Sequence, residues 1–352
     1  MTGRLDAVRR CAADAGASAV LVSHLPHVRW ATGFSGSNAL VLVTPDGAVL
    51  FTDGRYTEQA RAETDGLEVV IASDLVTALG SHEGVPATVV VQPEALTLAR
   101  FDALQAARPD AEWLRAEGLL SRAVATKDDA EIDALRRAQA LTASVFESLL
   151  PLIGPGVSEL DLAAEIVYLH LRGGASAMSF EPIVAAGPRG ALPHARPSSR
   201  TFQPGDLVVI DMGGVVDGYA ADMTRTVAIG PPGDDERRAY RAVDDALTAA
   251  VDRVRADVAG AELDQTARDV LAEAGLAEHF THSLGHGVGL DVHEWPRLSV
   301  SADHVVPENA CITIEPGVYL PGRFGIRIED LVVARRDGPE SLTTATRELL
   351  VL

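Results

Sequence analysis

Cysteine, lysine, aromatic residues and long apolar runs are all scarce in this sequence, and the shortages narrow what it can be. Its two cysteines, Cys11 and Cys311, stand far apart with no CxxC or Cys/His spacing. That excludes a disulfide framework and a thiolate metal site, and leaves both as small reduced core residues. No apolar stretch approaches the roughly 20 residues that span a bilayer, and the opening MTGRLDAVRRCAADAG holds no uninterrupted hydrophobic segment of a secretory signal. A soluble, cytoplasmic protein is the expectation. Lys127 is the one lysine beside 29 arginines, a bias of base composition with no functional reading at this level. Positive charge is short overall, and a formal net charge of −20 disfavours nucleic acid and anionic membranes as partners.

What is present is globular. At 352 residues the chain exceeds the usual single domain of about 100–200, and its 47% apolar and 23% charged content suffices for two cores. The first part alternates apolar strands, expected at 19–22, 39–44, 48–52 and 88–91, with helical stretches, the pattern of an α/β unit. Pro45-Asp46-Gly47 is a hairpin turn between two of these strands. Thr126, with Asp129 three residues on, opens an amphipathic helix carrying Ile132, Leu135, Leu141, Val145 and Leu149. A boundary just before it divides the chain into domains of 1–123 and 124–352. Gly154-Pro155-Gly156 ends that helix, Ser158 and Asp161 start another that runs to Gly173-Gly174, and strands and turns dominate from Ser179 onward.

Two segments of the second domain share one design, a strand, a glycine-containing turn and a return strand. Asp206-Leu-Val-Val-Ile-Asp211 precedes Ala221-Asp222-Met-Thr-Arg-Thr226, and Cys311-Ile-Thr-Ile-Glu315 precedes Ile326-Arg-Ile-Glu329. The match suggests internal pseudo-symmetry. Carboxylates suit strand interiors poorly, because an unpaired buried charge is costly or shifts its pKa. Side-chain alternation lets each hairpin present two of them on one face. Four converging carboxylates cannot all stay ionised without compensation, and a pair of dications would supply it. His286 sits in Leu284-Gly285-His286-Gly287-Val288-Gly289, where glycines permit close backbone approach. An imidazole among carboxylates suits Mn, Fe, Co or Zn, and the oxygen-rich set favours Mn(II).

These motifs resemble the pita-bread metallopeptidases, the group of methionine aminopeptidase, aminopeptidase P and prolidase. The resemblance rests on VVIDMGG (208–214), DGYAADMTRT (217–226), HSLGHGVGLDVHE (282–294), TIEPGVYL (313–320) and GIRIED (325–330), in family order. It implies a C-terminal catalytic domain with a pseudo-symmetric β-sheet flanked by helices. It also implies two divalent metal ions held by Asp211, Asp222, His286, Glu315 and Glu329. The segments 183–194, 31–38 and 51–60 resemble the Xaa-Pro branch and the creatinase-like α/β domain that precedes its catalytic domain.

The reaction so implied is hydrolysis of the bond before proline in peptides with proline second. Glu315 is the implied general base, and His194 and His293 stabilise the intermediate or protonate the leaving nitrogen. His282 and Arg327 are further substrate-binding candidates, Arg327 alternatively balancing ligand charge, and Tyr219 and Thr224 are candidates for orienting ligands. Arg55 is a candidate for pairing with the carboxylate of a C-terminal proline, as a prolidase would require. The segment around TDGRY leans toward aminopeptidase P, with prolidase the alternative. A noncatalytic binding member of the fold and a metal-free amidinohydrolase are the more distant readings. The N-terminal domain implies substrate gating and a homodimer or larger oligomer.

Overall fold

Strands built from consecutive aliphatic residues need cover on both faces. The computed structural model describes residues 2–352, which divide into two compact units, one ending at Val124 and one running from Ala125 to Leu352. In the first, β1 (Ala19–Val22), β2 (Ala39–Val43), β3 (Ala48–Thr52), β4 (Glu68–Ile71), β5 (Thr88–Val91) and β6 (Glu112–Arg115) form one sheet ordered β4-β3-β2-β1-β5-β6. The β1–β2 and β2–β3 pairs are antiparallel, and β3–β4, β1–β5 and β5–β6 are parallel. Leu75, Leu79 and Leu104 from flanking helices pack on Leu40, Leu42 and Val89 of the sheet. The four expected strands are present, and β4 and β6 add the two edges. Edge strands carry polar residues on their open side, here Glu68, Glu112 and Arg115, so they show no continuous apolar run.

The second unit contains β7 (Ala177–Met178), β8 (Ile183–Ala186), β9 (Leu207–Met212), β10 (Gly214–Val216), β11 (Tyr219–Ala220), β12 (Met223–Ala228), β13 (Gly285–Gly287), β14 (Glu294–Leu298), β15 (Cys311–Ile314), β16 (Gly317–Leu320), β17 (Phe324–Arg327), β18 (Asp330–Arg335) and β19 (Gly338–Ser341). They fall into two halves of like construction. The β12-β9-β8 sheet is backed by helices Asp129–Leu149 and Glu159–Arg172, whose Phe146, Leu149, Leu162 and Ile166 pack on Val208, Ile210 and Met212. The β14-β13-β15-β18-β19 sheet is backed by helices Asp234–Val251 and Gly260–Glu273, whose Val243, Leu247, Leu263 and Leu271 pack on Ile312, Ile314 and Val332. No helix among the described residues is long and apolar enough to cross a membrane.

Two local expectations need correction. The second hairpin does not pair 311–315 with 326–329: β15 pairs with β18, Ile314 opposite Asp330, while β17 pairs with β16. Pro316 explains the change, since it has no N–H to extend the ladder beyond Glu315. Glu315 therefore leaves the end of β15, and Glu329 lies in the link between β17 and β18. The long helix is capped by Asp128, not Thr126. The Asp128 carboxylate accepts from Glu131 N–H and the Glu131 carboxylate accepts from Asp128 N–H, closing a reciprocal box, while Thr126 is exposed. Asp128→Ala is expected to lower the stability of this unit by about 1 kcal/mol, seen as a lower urea midpoint, with Thr126→Ala leaving the midpoint in place.

Candidate active site

Asp211 faces Thr224 across the β9–β12 ladder. Asp222 sits just before β12, where Gln139 clamps its backbone, donating to the carbonyl at 3.0 Å and accepting from the N–H at 3.3 Å. Glu329 reaches back from the other half, its N–H donating to the Thr224 carbonyl at 3.1 Å. Arg225, 2% exposed, secures the junction by donating to the Thr224 and Glu329 carbonyls and to Asp330 Oδ1. His286 lies on β13 between two glycines that allow neighbouring strands to come close. A Cβ on Gly285 would fall 2.0 Å from the Thr313 carbonyl oxygen, and one on Gly287 2.5 Å from that of Trp295.

This construction brings the five ligand candidates together. Side-chain donor atoms of Asp211, Asp222 and Glu329 lie within 4.8 Å of one another, as do those of His286, Glu315 and Glu329. Two donor triads thus share Glu329. His286 Nδ1 donates to the Gly287 carbonyl at 3.0 Å, which turns Nε2 toward the carboxylates, 3.3 Å from Glu315 Oε1 and 3.7 Å from Asp222 Oδ2. Hydroxyls aim the carboxylates: Thr224 donates to Glu329 Oε2 at 2.9 Å and Thr313 to Glu315 Oε1 at 3.2 Å. Arg327 donates to Asp211 Oδ2 at 2.6 Å, to Thr224 Oγ1 at 3.0 Å, to Tyr319 Oη at 2.9 Å and to the Pro193 carbonyl at 3.1 Å. With its fork so engaged, Arg327 is placed to balance ligand charge, and it also lines the cavity described below.

The electrostatics are out of balance. Burial pushes Asp211 above its usual range, and it pushes Asp222 and Glu329 well above theirs, with neighbouring carboxylates adding to the effect at these two. Burial also opposes ionisation of Glu315, but the contact with His286 prevails and holds it down at about 2. Asp211 Oδ1 is buried with no hydrogen-bond partner among the described residues. An oxygen-rich cluster with one imidazole, too little positive charge and an unpartnered carboxylate oxygen fits a pair of divalent cations.

The remaining candidates divide. His194, His282 and His293 line the same cavity of about 600 Å³ as the five ligand candidates. The His293 ring centroid lies 4.3 Å from that of His286, and His282 Nε2 lies 2.9 Å from Tyr319 Oη. Tyr219 is elsewhere: its hydroxyl donates to Glu131 Oε1 at 2.9 Å, beside the helix start, and it does not line the cavity. Its expected place near the ligands is taken by Tyr319. Arg55, in the first unit, has its guanidinium fork on Asp53, at 2.8 and 2.9 Å. Sequence reasoning also passed over Thr313, Gln139 and Arg297. Arg297 is exposed, stands opposite His286 in the β13–β14 ladder and lines the cavity. Its only sequence signal is its place three residues beyond a recognisable motif, and a lone arginine there reads as surface.

Comparison with known proteins finds two matched stretches of the chain. Residues 133–336 match metallopeptidase family M24, and residues 4–123 match the creatinase/prolidase N-terminal domain. The chain is 33% identical over 333 residues to an Xaa-Pro dipeptidase of Pyrococcus horikoshii, covering 94% of each. A solved Xaa-Pro dipeptidase from Bacillus anthracis gives a TM-score of 0.96 at 34% identity, covering 100% of this chain and 99% of that one. An X-Pro aminopeptidase from Thermotoga maritima gives 0.91 at 36% identity, covering 97% and 100%.

Protons and cations compete for Asp222 and Glu329, whose raised pKa values keep them protonated further toward neutrality than free carboxylates. In the chelated protein their ionisation costs stability as pH rises through those values, and protonation relieves that cost as pH falls. The gap in melting temperature between metal-loaded and chelated protein should therefore be widest near pH 8 and shrink toward pH 5, as differential scanning fluorimetry would record.

Proposed function

Because the chain belongs to metallopeptidase family M24, we propose that it is an Xaa-Pro dipeptidase, cleaving the bond between an N-terminal residue and a C-terminal proline. The observation that carries this reading is likeness along nearly the whole chain to proteins named for dipeptide cleavage, in sequence and in structure. It reverses the lean of the TDGRY segment toward aminopeptidase P, although one similar structure is an X-Pro aminopeptidase. A dipeptidase must read a carboxylate directly after the scissile bond. Arg297 is the proposed reader, an exposed guanidinium on the cavity wall beside His293, whereas Arg55 is committed to Asp53.

Asp211, Asp222, His286, Glu315 and Glu329 would hold the two cations, with Mn(II) the proposed metal. Bound there, the pair would act as Lewis acids, making a water nucleophilic near neutral pH and polarising a carbonyl. The scissile nitrogen of an Xaa-Pro bond carries no hydrogen, so the residues around it must work from the carbonyl side. Glu315, its carboxylate aimed by Thr313 and set beside His286, accepts the proton of the attacking water. Partial burial lowers the pKa of His293 and favours its neutral imidazole, with an N–H to offer. His194 and His293 donate hydrogen bonds to the carbonyl oxygen as charge builds on it, and the proton that Glu315 took from the water passes to the proline nitrogen, directly or relayed by one of these imidazoles, as the C–N bond breaks. His282 supports Tyr319 and, through it, Arg327. Substrate gating and homo-oligomerisation are assigned to the first unit, on its match to the prolidase N-terminal domain.

The test compares Ala-Pro with Ala-Pro-Ala, with Mn(II) and after chelation. Ala-Pro should be the better substrate, and chelation should abolish its cleavage. A preference for Ala-Pro-Ala would restore the aminopeptidase P reading, and activity surviving exhaustive chelation would favour a metal-free amidinohydrolase. Arg297→Met is expected to raise KM for Ala-Pro about tenfold or more, the loss of one charge-assisted pair, with a smaller change in kcat.

A further inference from the structure

The one lysine of the chain is buried. The Lys127 side chain is 1% exposed and the Glu294 side chain 8%, with Nζ 2.6 Å from Oε2. Neither residue lines the cavity. An ion pair withdrawn from water offsets its desolvation only when its partners are held by further bonds, and here they are. The Lys127 N–H donates to the Asn309 carbonyl at 3.3 Å, tying it to the turn before β15, and the residue leads directly into the capped helix Asp129–Leu149. Glu294 Oε1 accepts from the N–H groups of Leu290 at 3.0 Å and Asp291 at 3.4 Å, closing the loop between β13 and β14 upon itself. Gly289 makes room for this carboxylate, since a Cβ there would fall 2.5 Å from both of its oxygens. The Gly289 carbonyl in turn accepts from Ala220 N–H at 2.8 Å.

The residue next to Glu294 is His293. Among the described residues none hydrogen-bonds its ring, which meets the ring of His286 edge-on at 4.3 Å between centroids. Its place in the cavity therefore depends on the backbone that carries it, and that backbone is anchored one residue away by the buried ion pair. The other 29 basic residues are arginines. A compact ammonium suits a closed space with one carboxylate, where a guanidinium would bury donors without acceptors.

We propose that the Lys127–Glu294 ion pair is the strut that holds His293 in its working position, which makes Lys127 and Glu294 positioning residues for the hydrolysis. The inference rests on the role given to His293 above. The test uses the Mn(II)-loaded full-length protein with Ala-Pro as substrate, comparing Lys127→Met, His293→Gln and the two combined. Lys127→Met should lower kcat about tenfold, the scale of a small misplacement of a reacting group, with KM changed less than about twofold, and should cause no further loss in the His293→Gln background. Histidine-ring NMR of the full-length protein without manganese gives a readout independent of turnover. In Lys127→Met the resonance identified by its absence in His293→Gln should shift or broaden, while those of His82 and His279 stay in place.

An unchanged kcat, a loss that multiplies in the His293→Gln background, or an unmoved His293 resonance would overturn the strut. Lys127→Met combined with Glu294→Gln covers failure of the single variant to fold, because it removes both buried charges together. There kcat should remain low as the melting temperature recovers, and recovery of both would reduce the pair to a stabilising role. Full activity of His293→Gln would instead remove the role of that histidine, and the resonance shift would then decide the strut alone.

Discussion

Repulsion among buried carboxylates is the constraint on which the second unit turns. Elsewhere in it, five carboxylates taken out of water carry cations of their own: Glu159 with Arg189, Asp206 with Arg200, Asp264 with Arg268, Asp330 with Arg225 and Glu294 with Lys127. At the centre, Asp211, Asp222, Glu315 and Glu329 share one arginine, Arg327, and one histidine. The fold balances charge at its supports and leaves it open at its focus. Such an imbalance costs stability in a protein that has nothing to bind, and a site built for dications requires it.

The supports repeat between halves. Thr224 aims Glu329 and Thr313 aims Glu315, each hydroxyl lying on the strand next to its carboxylate or on the same strand. Helix pairs back both sheets, and Gln139 and Arg225 fasten the backbone where the halves meet. Short, polar, uncharged side chains do the aiming. A charged residue there would add to the imbalance or cancel it.

Much of this was legible because the chemistry is carried by residues out of place for their setting: acids ending apolar strands, and a histidine among glycines. The five ligand candidates and the buried strands of the first unit announced themselves in that way. What stayed hidden depended on partners far away in sequence. Pro316 interrupts one strand, so the return strand was placed at 326–329 when the ladder resumes at Asp330. Tyr219 and Tyr319 are alike in isolation, and only the ladder shows that one meets Glu131 and the other Arg327. Arg297 looked like any surface arginine, and Lys127 like an accident of composition. The cap fell to Asp128 because the competing Thr126 lacked a reciprocal partner at the right distance.

Arg327 bonds Asp211 across 116 positions of sequence, and Thr224 bonds Glu329 across 105. Neither half of the second unit therefore contains the complete site. Contacts of such long range are made only after the intervening chain has closed, which places them late in assembly. A chain still being synthesised, or one with its halves loosely docked, holds acids scattered on separate surfaces with little affinity for metal. Hydrolytic competence is thus an attribute of the finished fold, and an immature chain cannot act on the peptides around it.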